Sequence, residues 1–100
     1  MNNIIKNKFD ISTFVDVRTE QAVLKDLVIR VKARRKELKM TQKDLAFQTG
    51  VSYGSIKRFE QTGDISLVSL LRIAQVLNSL DDFDELFKHK QILNLKDYKV

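Results

Sequence analysis

The sequence contains no cysteine, no proline, three glycines and a single histidine among its 100 residues. Without cysteine there is no disulfide framework and no thiol nucleophile, and one histidine alone supplies no zinc-ligand set. So few turn-forming residues disfavour a hairpin-rich architecture and leave a mostly helical chain. No stretch approaches the ~20 consecutive apolar residues of a membrane span. The N-terminus lacks the basic-then-apolar layout of a signal peptide, so a cytoplasmic protein with no membrane role is expected. Catalysis is poorly provided for as well. The carboxylates of Asp81, Asp82, Asp84 and Glu85 cluster, but no nucleophile, metal set or phosphate-cradling loop accompanies them. Neither an enzyme nor a cofactor is expected.

What is present is a chain of ordinary apolar content, 43%, with a net charge of +5. That length and composition suit one domain with a modest core. Placement of the charge says more than its size: Arg30 to Lys43 holds seven basic residues and one acid, Glu37. The acids at 81–85 lie well downstream, so a basic end and an acidic end are expected, as suits a polyanionic partner.

Thr41 to Gly63 is the stretch around which the rest is arranged. Thr41 and Ser52 each precede a run of helical spacing and each has the side chain of an N-cap. Asp44 completes a capping-box-like T-x-x-D, and Met40 with Leu45, then Val51 with Ile56, stand as hydrophobic staples. Gly50 falls where the first helix must end with a left-handed residue. Two short helices joined by a tight turn follow from this spacing. On the second, Ile56, Phe59 and Glu60 share one side, whereas Tyr53, Gly54, Lys57, Arg58 and Gln61 share the other. The outer side is polar and basic, with donors suited to base edges and phosphate oxygens. Gly54 costs ~1 kcal/mol relative to alanine inside a helix, which a close approach to DNA would justify. A solvated amphipathic helix of a small bundle is the alternative reading.

A long first helix begins at about Thr19, with Leu24, Leu27, Val28, Val31 and Leu38 on one stripe. Arg35 sits on that stripe, four after Val31 and three before Leu38, so its guanidinium belongs at the core edge and needs an acid. Glu60 is the natural partner, and this ion pair is expected to be structural. Ser66 caps a further helix, with Ile65 and Leu70 as staple. Leu67, Val68, Leu70, Leu71, Ile73, Ala74, Val76 and Leu77 make it apolar almost all round, the central helix of the domain. A fifth short helix, capped by Asp81 or Asp82, carries Leu80, Phe83, Leu86 and Phe87. Phe83, Leu86 and Phe87 either close the monomer core or meet a dimer or other partner. Residues 1–18 are too apolar for a plain tail and fit an arm, a segment packed across a dimer, or a cover over the core. For residues 88–100 a strand, a helical extension and an ordered tail all stay open, and His89 reads as solvated.

The motifs T-Q-x-x-L-A, G-V-S, S-I-x-R-F-E and T-G resemble the Cro/repressor helix-turn-helix family of the xenobiotic-response-element type, over about Val28 to Phe87. The resemblance implies an all-α, compact five-helix, lambda-repressor-like DNA-binding domain. That places the domain at 19–87, with an N-terminal extension at 1–18 and a C-terminal tail at 88–100. It implies a recognition helix in the major groove of double-stranded DNA. Ser52, Tyr53, Gly54 and Arg58 would face bases, Lys57 bases or phosphate, and Gln42, Gln61 and Thr62 phosphate. Lys43, in the basic window, is assigned to phosphate too. The family also implies the Arg35–Glu60 pair and a two-fold homodimer built partly from the 80–87 region. Phe47 departs from it, standing where a polar residue is usual, as a partner contact or a lone surface aromatic.

The expected function is therefore a sequence-specific, dimeric transcriptional repressor. The run V-S-Y-G-S-I-K-R-F-E-x-T-G-x-I-S further resembles HipB-like antitoxins, which repress their own operon and bind a HipA-type kinase toxin. A phage-type repressor or a restriction-modification controller protein would share this core. From another class, a protein-interaction module that no longer reads DNA would use Phe47, Phe83, Phe87 or the tail.

Overall fold

A computed structural model describes residues 18–92. In chain order it contains α1 (Glu20–Glu37), α2 (Gln42–Thr49), α3 (Tyr53–Thr62), α4 (Leu67–Val76) and a closing 3-10 helix (Leu80–Glu85). Among the described residues there is no strand, and the fold they form is all-α. The expectations for the extension and the tail lie, for residues 1–17 and 93–100, outside the described residues.

A hydroxyl sets the start of each α-helix. Thr19, Thr41, Ser52 and Ser66 accept from the backbone N–H of Ala22, Asp44, Ser55 and Ser69 respectively, satisfying a first-turn donor that the helix cannot. At α2 the box closes in both directions: Thr41 N–H donates to Asp44 Oδ2 at 2.9 Å, and Asp44 N–H donates to Thr41 Oγ1 at 2.9 Å. The bond from the Thr41 backbone, then that of its hydroxyl, holds the Asp44 carboxyl below its ordinary pKa, since both favour the charged form.

Two glycines set the exits. Gly50 ends α2 at φ +77° and Gly63 ends α3 at φ +84°, both left-handed, a region where a side chain is strained. They differ in what surrounds them. A Cβ on Gly50 would meet nothing within 4 Å, whereas one on Gly63 would lie 3.3 Å from Leu24 Cβ. Gly63 therefore also brings the end of α3 against α1.

Leu45, Val51, Ile56, Ile73 and Leu77 form the buried cluster, so α2, α3 and α4 share one core. Met40, Val51 and Ile65, each directly before a cap, lie in or against it, which steers the chain into the helix behind. Full burial of each Leu or Ile contributes roughly 1.5–3 kcal/mol. Helix α1 joins differently: Arg35 is its one buried residue, and Leu27, Val28 and Val31 are only half-buried.

Two expectations are corrected. Helix α4 is not buried on most of its circumference: Ile73 and Ala74 are buried, but Leu67 and Val68 are 63% and 60% exposed. Its first turn runs past the described neighbours, and Leu67 and Leu70 line an open apolar groove of about 500 Å³ together with Val23, Leu27, Phe83 and Leu86. The last element is a six-residue 3-10 helix with no side-chain cap, so neither Asp81 nor Asp82 caps it. Ser79, at the cap position, is committed elsewhere, because its hydroxyl donates to Leu77 O and accepts from Arg34 Nη1 at 2.8 Å.

Candidate nucleic-acid interface

Burial decides which side of α3 is free. Ile56 and Phe59 are 0% and 1% exposed, and helical spacing then turns Tyr53, Gly54, Lys57, Arg58 and Gln61 outward. All five are exposed, as are Ser52, Thr62 and Lys43. The polar face of α3 is thus held out by two apolar anchors.

Its charged side chains are organised by contacts of two kinds. The Tyr53 ring lies between two ammonium groups, with Lys43 Nζ 5.4 Å and Lys57 Nζ 4.9 Å from its centroid. Each ammonium is attracted by the ring quadrupole, so one patch spans the start of α2 and the start of α3. Arg58 Nε lies 2.9 Å from Asp64 Oδ2, in an exposed ion pair. Gly54 has open space where a Cβ would stand. Nothing among the described residues requires glycine there, and its absence of side chain leaves the helix backbone open to approach from outside.

Three of the sequence-assigned residues have side chains already engaged. The Ser52 hydroxyl accepts from Ser55 N–H at 3.0 Å and donates to Ser55 Oγ at 2.8 Å. The Thr62 hydroxyl donates to Arg58 O at 2.8 Å and accepts from Asp64 N–H at 3.1 Å. Gln42 Nε2 donates to Glu60 Oε1 at 2.9 Å. These groups shape the two ends of α3 and its support.

That support is a buried ion pair. Arg35 Nε donates to Glu60 Oε2 at 2.8 Å and Nη2 to Oε1 at 3.0 Å, while Nη1 donates to Met40 O at 2.8 Å. The two side chains are 8% and 3% exposed. Burial alone would raise the Glu60 carboxyl, but hydrogen bonds from Arg35 and Gln42 and the charges of Arg35 and Lys32 outweigh it and hold its pKa below the ordinary value. Arg35 thereby ties α1 both to α3 and, through Met40 O, to the approach to α2.

Phe83 is half-buried in the groove beside α4, Leu86 is exposed, and Phe87 is fully exposed at φ +62°. Phe47 is 89% exposed on α2. The sequence pattern leaves Asp64 unassigned and links neither Gln42 to Glu60 nor Arg34 to Ser79. A signal for Asp64 was present in T-G-D, since a threonine two residues before an aspartate at a helix end favours a side-chain turn.

Two short helices at a tight turn, the second presenting a basic polar face over an apolar anchor, define a helix-turn-helix protein. A helix-turn-helix family model matches residues 31–83, more than half of the chain. The chain belongs to that family, of the xenobiotic-response-element type, whose domain is a DNA-binding regulatory one and not a catalytic one. No curated protein and no solved structure matches it. No helix among the described residues is long and apolar enough to cross a membrane.

Proposed function

We propose that the protein is a cytoplasmic, dimeric repressor that reads duplex DNA through the outer face of α3. The observation that carries this reading is the joint exposure of Tyr53, Gly54, Lys57 and Arg58 above Ile56 and Phe59. Tyr53, Lys57 and Arg58 face base edges, an arginine fork matching guanine O6 and N7, and Gly54 lets the helix sit deep in the groove. Lys43 and Gln61 hold phosphate. Ser52, Gln42 and Thr62 act in support, capping α3, bracing Glu60 and shaping the exit turn. The DNA-binding unit is residues 19–87, with 1–18 and 88–100 as appended segments.

Dimerisation is supported by the exposed Leu86 and Phe87 and by the open apolar groove that Phe83 and Leu86 line. One recognition helix offers few base contacts, whereas a two-fold pair reads half-sites about 34 Å apart and adds their energies. Within this class the HipB-like run favours an antitoxin that binds a HipA-type kinase, for which a kinase-like toxin encoded beside it is the expected sign.

Selection of bound duplexes from a random pool tests the proposal. An enriched palindromic motif is expected, with affinity falling steeply as salt rises because phosphate contacts release counterions. Lys43→Ala should weaken all sequences alike, and Arg58→Ala should relax discrimination at one base pair by about 1–3 kcal/mol. A pool that shows no enrichment, with salt-insensitive binding, overturns it. In that case the exposed Phe47 and Phe87 favour a protein partner.

A further inference from the structure

Arg58 is the one arginine on the outer face of α3, and it is not alone there. Asp64 faces it at 2.9 Å, and the carboxylate is placed by a closed circuit of bonds. Thr62 Oγ donates to the Arg58 carbonyl at 2.8 Å, Asp64 N–H donates to Thr62 Oγ at 3.1 Å, and the Asp64 carboxylate returns to the Arg58 guanidinium. The reversal needed for this circuit comes from Gly63 at φ +84°, pinned against Leu24. Both charged side chains are exposed, 68% and 62%, so the pair stands on the surface offered to DNA. An acid at that place is unexpected on a face meant for a polyanion.

We propose that Asp64 is a specificity-setting positioning residue, which holds Arg58 and keeps it from capture by backbone phosphate. The inference rests on the DNA-reading role of α3 proposed above. A phosphate that approached Arg58 would meet the negative Asp64 carboxylate beside it and would gain little by exchange. A guanine edge is neutral, so it suffers no such repulsion and finds the arginine already confined. The carboxylate thereby weakens binding to random sequence more than binding to a matched site, and it raises the ratio between them.

The test compares the full chain with Asp64→Asn, which leaves the backbone N–H to Thr62 in place. Two probes are used: a duplex selected by the wild-type chain from a random pool, and a scrambled duplex of equal length. For the scrambled duplex, releasing one arginine should steepen the log–log salt dependence by about 0.9 and, for chains that bind alike at 1 M salt, tighten binding about eightfold at 0.1 M. Affinity for the selected duplex should change less, and discrimination at the base pair read by Arg58 should fall. Asp64→Glu should restore the wild-type ratio. In an Arg58→Gln background, Asp64→Asn should leave base discrimination unchanged. Asp82→Asn, which removes the same charge from the 3-10 helix, should not reproduce the effect. If the wild-type chain selects a motif but Asp64→Asn leaves the selected-to-scrambled ratio unaltered, or Asp82→Asn lowers it equally, Asp64 has no such role and the DNA-reading proposal still stands. If the wild-type chain selects nothing, both fall together.

Discussion

Replacing Glu60 with alanine would leave the Arg35 guanidinium in a pocket where its side chain is 8% exposed. Three hydrogen bonds would vanish at once, two from Arg35 and one from Gln42, and only that to Met40 O would keep the cation company. A buried charge deprived of its partner typically costs about 3–5 kcal/mol. For the 75 residues described, total stability should be of order 4–11 kcal/mol at 0.05–0.15 kcal/mol per residue. The loss therefore takes a large share of it. At about 4–8 °C per kcal/mol, even 3 kcal/mol lowers the melting temperature by ~12 °C or more. The effect should exceed that of any exposed pair, such as Arg34 with Glu37, because surface pairs contribute only about 0–1 kcal/mol. Thermal unfolding followed by far-UV circular dichroism measures it. Arg35→Met should behave like Glu60→Ala, since it strands the carboxylate instead. The double variant Arg35→Met with Glu60→Leu removes both charges and should recover much of the loss, as hydrophobic replacements of buried ion pairs often do. Single variants that melt with the wild type, or a double variant that is additive in its damage, would refute the view that the pair carries α1 onto α3.

Glu60 and Asp44 also make stability depend on acid. The folded pKa values of Glu60 and Asp44 are both depressed, so their contribution is complete above the ordinary carboxylate range and is lost as pH falls through the folded values. Urea midpoints measured downward from pH 6 should drop with falling pH, and Glu60→Gln should flatten that slope. Gly50→Ala and Gly63→Ala should separate: both force a non-glycine residue to positive φ, at roughly 1–2 kcal/mol, but only at Gly63 must Leu24 also give way. Equal melting temperatures for the two would count against the Leu24 contact. Leu45→Ala, at a site 0% exposed in the shared core, should cost about 2–5 kcal/mol, whereas Phe47→Ala, two residues on, should alter stability little.

Much of the arrangement was legible from the chain itself, because its determinants are local. A hydroxyl that caps its own helix, a glycine that ends one and an apolar pair five residues apart act within a turn or two of backbone. The starts at Thr19, Thr41, Ser52 and Ser66 and the left-handed exits at Gly50 and Gly63 are of this kind. So is the outward side of α3, which follows from Ile56 and Phe59 by helical spacing alone. Arg35 and Glu60 were matched over 25 residues of sequence because a cation on an apolar stripe demands an acid on the facing one. Tertiary structure decided what depends on distances between elements. It brought Gln42 onto Glu60 and Arg34 onto Ser79, left the first turn of α4 bare, and made the last element a 3-10 helix. It set Asp64 against Arg58. A polar side chain has several partners within reach along the chain, and only the packing of helices against one another selects among them.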